Sequence, residues 1–229
     1  MPPVTVISFD VGTVNLALWI GQMDGDVYVT QHWELINVHT PNVPSSTIDR
    51  VCTCTVDALR AAQNRFVPTD ETFVVIESQP TTNIRMKCVS HVIQTWFYCH
   101  GFAEDSIKFV SPRNKLTVYT KPLKDDVFFV SNAYRYRKDM STAHARALLE
   151  EHEQHEWLRF LNSHAKKDDL ADAYLQGCHS LKRLQSASDR ATRRLSKSKK
   201  PVAKVKSDCV PLEATVTDDD IETRSEPVK

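Results

Sequence analysis

Lys166-Lys167-Asp168-Asp169-Leu170-Ala171-Asp172-Ala173-Tyr174 places three acids within five residues at the head of an apolar helical pattern. From Leu170 the apolar stripe runs through Ala173, Tyr174, Gly177, Cys178, Leu181 and Leu184. That 3.6-residue period predicts a helix packed on a core. On such a helix Asp172 shares a face with Asp168 at i, i+4 and with Asp169 at i, i+3. Like charges so spaced repel one another, and a cation between them relieves the cost. Taken alone, the stretch reads equally well as an acid-rich first turn favoured by the helix dipole. Two further carboxylates, at the ends of strands, tip the balance.

Val4 to Phe9 is short, apolar and β-branched, and Asp10-Val11-Gly12-Thr13 closes it with a turn. Val14–Gly21 and Val27–Val38 continue as strands, with Asp24-Gly25 as the hairpin signal between them, so the chain opens on a three-stranded antiparallel meander. Pro41 to Ser46 reads as a loop leading to a Ser/Thr cap, and Ile48, Val51, Cys52, Thr55, Leu59, Ala62 and Phe66 then keep helical spacing. Thr72 to Ile76 is a second continuous apolar strand and ends in Glu77. Residues 83–100 form a helix apolar on most sides, and Ile107–Val110 is a short strand stopped by Ser111-Pro112. Residues 113–140 mix aromatic and basic side chains without a clear period, and Ser141-Thr142 is the predicted cap of a helix through about Leu161. The order β-β-β-α-β-α-β followed by two helices gives a mixed, five-stranded α/β sheet flanked by helices.

Composition narrows the function. The chain of 229 residues is long enough for one packed domain with an extension, and its 41% hydrophobic and 25% charged residues are ordinary for a globular protein. The formal net charge of zero conceals a segregation. Lys182 to Lys206 holds ten Lys or Arg against Asp189 alone, whereas Ser207 to Lys229 holds seven acids against Arg224 and Lys229. Apolar periodicity fades near Ser186, so residues 1–185 read as the folded domain and 186–229 as a disordered tail, basic and then acidic. No apolar run approaches the ~20 residues a membrane span requires, and the N-terminus lacks a secretory pattern, which points to an intracellular protein without a membrane partner. The six cysteines are scattered as in a reduced intracellular chain, and Cys52 and Cys54 lack zinc-knuckle spacing. His152-Glu153-Gln154-His155 is not the HExxH pattern and reads as a charged helix face. Neither GxGxxG nor GxxxxGK[ST] occurs, which argues against nucleotide binding through a glycine-rich phosphate loop.

Asp10 and Glu77 each end an apolar strand. If those strands are neighbours, the two carboxylates meet at one end of the sheet, and the acidic helix crossing there brings the cluster to four. Four acids together are costly unless a divalent cation is bound, and hard oxygen ligands suit Mg²⁺ or Mn²⁺. Two such ions roughly 4 Å apart can drive in-line phosphodiester displacement. The alternatives for the single residues are that Asp10 merely begins a turn and that Glu77 pairs with Arg85.

Phe9-Asp10-Val11-Gly12-Thr13, Val75-Ile76-Glu77 and Lys167-Asp168-Asp169-Leu170-Ala171-Asp172-Ala173 resemble, in order and spacing, the three acidic motifs of RuvC-type Holliday junction resolvases. The similarity is strongest to the poxvirus, iridovirus and fungal mitochondrial branch and spans residues 4 to about 184. It implies an RNase H-like fold, a homodimer, Mg²⁺ dependence with Mn²⁺ as a substitute, and paired symmetric nicks in four-way DNA junctions during recombination or viral genome processing. It further implies Asp10, Glu77, Asp169 and Asp172 as metal ligands, with Asp168 competing with Asp169. Val110-Ser111-Pro112-Arg113-Asn114-Lys115 resembles a family segment whose lysine contacts the scissile phosphate, which makes Lys115 the candidate for transition-state charge stabilisation. Gln79, Asn83, Arg85 and Lys87 follow Glu77 closely and are candidates for DNA-backbone contacts. The compartment implied is the cytoplasm or nucleus of a host cell.

Two other readings start from the same residues. Asp10-Val11-Gly12-Thr13 also resembles the phosphate loop of actin- and sugar-kinase-like ATPases, but the second Asp-x-Gly loop and the second domain are missing. A non-catalytic junction- or RNA-binding module is the other, and it has no need of four acids. The basic run Arg193–Lys200 reads as a non-specific DNA contact or an import signal.

Overall fold

A computed structural model describes residues 3–38, 47–123 and 133–198. The chain divides into two units, Met1–Ala191 and Thr192–Lys229, and the first carries the sheet with its helices. Five strands form that sheet: β1 (Thr5–Asp10), β2 (Asn15–Asp24), β3 (Val27–Asn37), β4 (Thr72–Glu77) and β5 (Ile107–Val110), in the order β3-β2-β1-β4-β5. The meander β1-β2-β3 is antiparallel, and β4 and β5 add in parallel to β1. This mixed sheet flanked by helices is the RNase H-like fold expected from the sequence.

The β1 and β4 segments are continuous apolar runs because both sheet faces are covered, so each strand must be apolar at every position. Ile7 and Phe9 of β1, with Val74 and Ile76 of β4, face α1 (Ile48–Ala62) and α2 (Ile84–Cys99) through Val51, Leu59, Val89, Ile93 and Phe97. Val6 and Val75 point to the opposite face, where α3 (Ala133–Glu151), α4 (His155–Ser163) and α5 (Lys167–Ser198) close over Trp19 and Trp33. Side chains alternate with a period of two, so the last residues of the two strands, Asp10 and Glu77, belong to the α5 face. Thr47 caps α1 by accepting the Arg50 N–H, and Asn83 caps α2 by accepting the Met86 N–H at 3.3 Å.

On α5 the buried stripe is Leu170, Ala173, Tyr174, Cys178 and Leu181, as the period predicts. Gly177 breaks the helical propensity for a packing reason: a Cβ there would lie 2.2 Å from the Trp19 ring. The Trp33 indole N–H donates to the Leu170 carbonyl at 3.1 Å, fixing the first turn of α5 on the sheet.

Three expectations change. The helix placed from Ser141 to Leu161 is two helices: α3 starts earlier, at Ala133, and stops at Glu151. Glu153 adopts φ 55° there, and Gln154 N donates to Leu149 O at 2.8 Å while Glu153 N donates to Glu150 O at 3.1 Å. This is a Schellman ending with Glu in the left-handed position usually given to Gly. His152-Glu153-Gln154 is therefore not a charged helix face but a turn, with His155 opening α4, and it covers the first part of the outer edge of β3, at Tyr28 and Thr30. Gln154 accepts the Thr30 N–H at 2.9 Å and donates to the Tyr28 carbonyl, His152 Nδ1 accepts the Tyr28 N–H at 3.0 Å, and Trp157 donates to the Thr30 carbonyl at 3.1 Å. Finally, α5 continues past Ser186 to Ser198, although the apolar stripe ends before it. The loop Pro41 to Ser46 and everything after Ser198 lie outside the described residues.

Candidate active site

Phe9 pairs with Ile76 in the parallel β1–β4 ladder, so Asp10 and Glu77 stand one step beyond on adjacent strands. The chain after β5 turns through Pro112–Thr117, capped by Ser111, and returns Lys115 to the same end of the sheet. Its ammonium lies 2.5 Å from Asp172 Oδ2, 3.3 Å from Glu77 Oε1 and 3.8 Å from Asp10 Oδ1. All four of these side chains are less than one-fifth exposed. Asp169 lines the same cleft, about 610 Å³ in volume, outside this cluster. The structure thus brings Asp10, Glu77, Asp169, Asp172 and Lys115 to one cleft.

Asp168 goes elsewhere. It forms an ion pair with Lys138 of α3 and is absent from the cleft lining. Burial works against its charge, but Lys138 outweighs that and holds the carboxyl below the usual range. Burial and the neighbouring Asp168 instead push Asp169 up to about 6. Burial, followed by Glu77 and Asp172, raises Asp10 well above the ordinary carboxylate value. Burial also raises Asp172, against the pull of Lys115. For Lys115 burial opposes the charge, yet Asp172, Asp10 and Glu77 overcome it, and the ammonium is held more firmly than in water. One ammonium cannot neutralise three carboxylates.

Whether this donor set fits a metal can be read from its atoms. Every candidate ligand is a carboxylate oxygen, and Asp172 Oδ1 is buried with no hydrogen-bond partner among the described residues. Hard divalent cations take such oxygens. As the side chains stand, with Lys115 among them, no three His, Cys, Asp or Glu of the described residues form a group able to hold a metal ion. The donor chemistry suits Mg²⁺, and Lys115 is the cation that compensates the carboxylates here.

Several supporting residues went unread in the sequence. Gln176, buried on α5 one turn after Asp172, donates to Ser8 Oγ at 3.1 Å and to the Phe9 carbonyl at 3.0 Å, tying α5 to the end of β1. A glutamine inside an apolar helical stripe was the available signal. Lys138, the partner of Asp168, lay in the segment without a clear period, so nothing marked it. Gln79 donates to Glu77 Oε2 at 3.0 Å, so it orients that carboxylate, and Asn83 serves as the α2 cap. Arg85 and Lys87 are exposed on α2. Glu77 pairs with Lys115 and not with Arg85.

Comparisons with known proteins agree with this architecture. Residues 4–182 match the family model described as Poxvirus A22 protein. An uncharacterized protein, L451, of Acanthamoeba polyphaga mimivirus is 31% identical over 132 residues, which cover 51% of this chain and 30% of that protein. The chain therefore spans under a third of the length of that relative. Two solved structures share the fold: T. thermophilus RuvC in complex with Holliday junction substrate (TM-score 0.51, 15% identity, 77% of this chain and 92% of that one) and Thermus thermophilus RuvC (TM-score 0.51, 12% identity, 79% and 96%). No helix among the described residues is long and apolar enough to cross a membrane. With a RuvC-like sheet, an acidic cleft at the ends of its central strands and a family match over most of its length, this chain belongs to the Poxvirus A22 protein family.

Proposed function

We propose that the protein is a Mg²⁺-dependent endonuclease that resolves four-way DNA junctions by paired symmetric nicks. The observation that carries this reading is the convergence of four carboxylates and one lysine where β1 and β4 end, in a chain of this family. The Thermus RuvC found with a Holliday junction substrate has the same fold and supports the choice of DNA. Asp10, Glu77, Asp169 and Asp172 would hold the metal, and Mn²⁺ would substitute for it. The metal would supply an activated water and neutralise the leaving oxygen in phosphodiester hydrolysis.

The protein's own groups do the positioning. Gln79 orients Glu77, Gln176 fixes α5 against the end of β1, and the Lys138–Asp168 pair fixes the first turn of α5. Lys115, which Asp10, Glu77 and Asp172 hold at the floor of the cleft, would contact the scissile phosphate and offset charge developing on it. A four-way junction has two-fold symmetry, so a homodimer matches it. Helix α2 supplies an interface, since Ile84 and Tyr98 are exposed and an apolar groove against α1 is lined by Val56, Val92 and Trp96.

The test is incubation with end-labelled four-way junction and with linear duplex of the same sequence, each with Mg²⁺ or EDTA. Symmetric nicks in the junction alone, only with Mg²⁺, are expected. Equal cutting of duplex, or none of either, would remove the proposal. Sedimentation should give a dimer on the junction.

A further inference from the structure

The floor of the cleft is acidic and its rim is not. Arg113, in the turn after β5, and Arg137, on α3, both line the cleft that holds the four acids, and both are exposed. Guanidiniums beside carboxylates normally pair with them. Here Lys115 takes Asp10, Glu77 and Asp172, Lys138 takes Asp168 outside the lining, and neither arginine is ion-paired with a described residue. Two arginines from two separate elements thus line a cleft whose floor holds four acids, and neither forms an ion pair with a described acid.

A phosphodiester chain approaching that floor is repelled by it, and cations on the rim have to offset the repulsion. The planar guanidinium fork matches two phosphate oxygens at once, which an ammonium does not. We infer that Arg113 and Arg137 form a rim clamp that grips the backbone phosphates flanking the one to be cut. The inference rests on the nuclease reading and adds to it which residues hold the strand in register over the acids. Arg113 precedes Lys115 by two residues, so the same turn presents one cation to the floor and one to the rim. Arg137 adjoins Lys138 in the same way, one residue gripping DNA and its neighbour anchoring α5. Phosphate contacts of this kind position a strand without reading its sequence.

The test is the salt dependence of junction binding by the full chain in EDTA, so that cutting does not intervene. Arg113→Gln and Arg137→Gln should each weaken binding severalfold at low salt and lower the slope of log affinity against log salt by about one, and the double variant by about two. Arg113→Lys should restore the slope, because it keeps the charge. Arg60→Gln, on the distant α1 and already paired with Asp57, serves as the reference for a lost surface charge. Slopes of the cleft variants that superimpose on that of Arg60→Gln overturn the clamp. A wild-type chain that nicks junctions while those slopes superimpose loses the clamp alone. One that binds with the expected slopes yet never nicks loses the nuclease reading and keeps the clamp.

Discussion

At the β3 edge, Gln154 gives its carbonyl to the Thr30 N–H and its amide to the Tyr28 carbonyl, and His152 and Trp157 take the neighbouring backbone groups. At the ends of β1 and β4, three carboxylates share one ammonium, and Asp172 Oδ1 is left without a partner among the described residues. Both regions bring polar groups against the same sheet. In the first, donors and acceptors are matched, which covers the start of an edge otherwise open to pairing with another chain. In the second, like charges are crowded beyond what the protein itself compensates, an arrangement that stability alone does not favour. The difference separates a structural polar site from one that, on the proposed reading, takes up cations and a phosphate.

The largest effect should come from the acids. Asp10→Asn and Glu77→Gln should each lose Mg²⁺-dependent junction nicking by several orders of magnitude in single-turnover assays, with binding retained or tightened. In metal-free buffer the same Asp10→Asn protein should melt higher than wild type, because a repelled buried charge is gone. A lower melting temperature would mean that the acids are structural after all.

Next is Lys115→Met, expected to slow nicking by about 10²–10³-fold, the range for loss of one group that stabilises transition-state charge. Its melting temperature in EDTA should drop, since three carboxylates lose the cation they share among the described residues, and Mg²⁺ should recover part of the loss. A drop that Mg²⁺ leaves untouched would make Lys115 a purely structural counter-ion.

Gln154→Ala tests the other side of the comparison. It removes both bonds to β3 and should cost about 1–3 kcal/mol. For a chain of this size that is about 2–4 °C in Tm per kcal/mol. The nicking rate should not change, and a slowed rate in a fully folded variant would show the two regions to be coupled.

The smallest effect concerns pH at the edge. Burial lowers the His152 pKa below its ordinary value near 6.5, and its Nδ1 must be unprotonated to accept the Tyr28 N–H. A lowered folded-state pKa means that this stability is complete above about 6.5 and is lost as pH falls below it. Melting followed from pH 7.5 to 5.5 should decline, and less steeply in His152→Gln. An identical decline in both proteins would remove His152 from the edge seal.

How much of this was legible follows from the kind of signal each residue carries. Asp10 and Glu77 could be placed because strand parity and a parallel pairing of apolar runs leave their side chains little choice. The α5 face was legible from its period, and which of Asp168 and Asp169 enters the cleft was not, because Asp168 is drawn off by Lys138, thirty residues away in sequence. The start of α3 was missed because Ala133–Met140 interleaves aromatic and basic residues and lacks an apolar stripe. The α3–α4 break was missed because Glu153 occupies a left-handed position that sequence rules assign to Gly or Asn. Gln154 as a surrogate strand partner has no sequence pattern at all: its contacts reach across 124 residues.

Metal at the scissile phosphate is tested most directly by a sulfur substitution. Once the nicking position is mapped, a junction with sulfur in place of a non-bridging oxygen at that phosphate is cut in Mg²⁺ and in Mn²⁺. Mg²⁺ binds sulfur poorly and Mn²⁺ tolerates it better. Nicking should fall sharply in Mg²⁺ and recover in Mn²⁺, with Asp10→Asn inactive in both. Equal slowing in the two metals, or nicking that persists in EDTA, would contradict a cation held by these carboxylates.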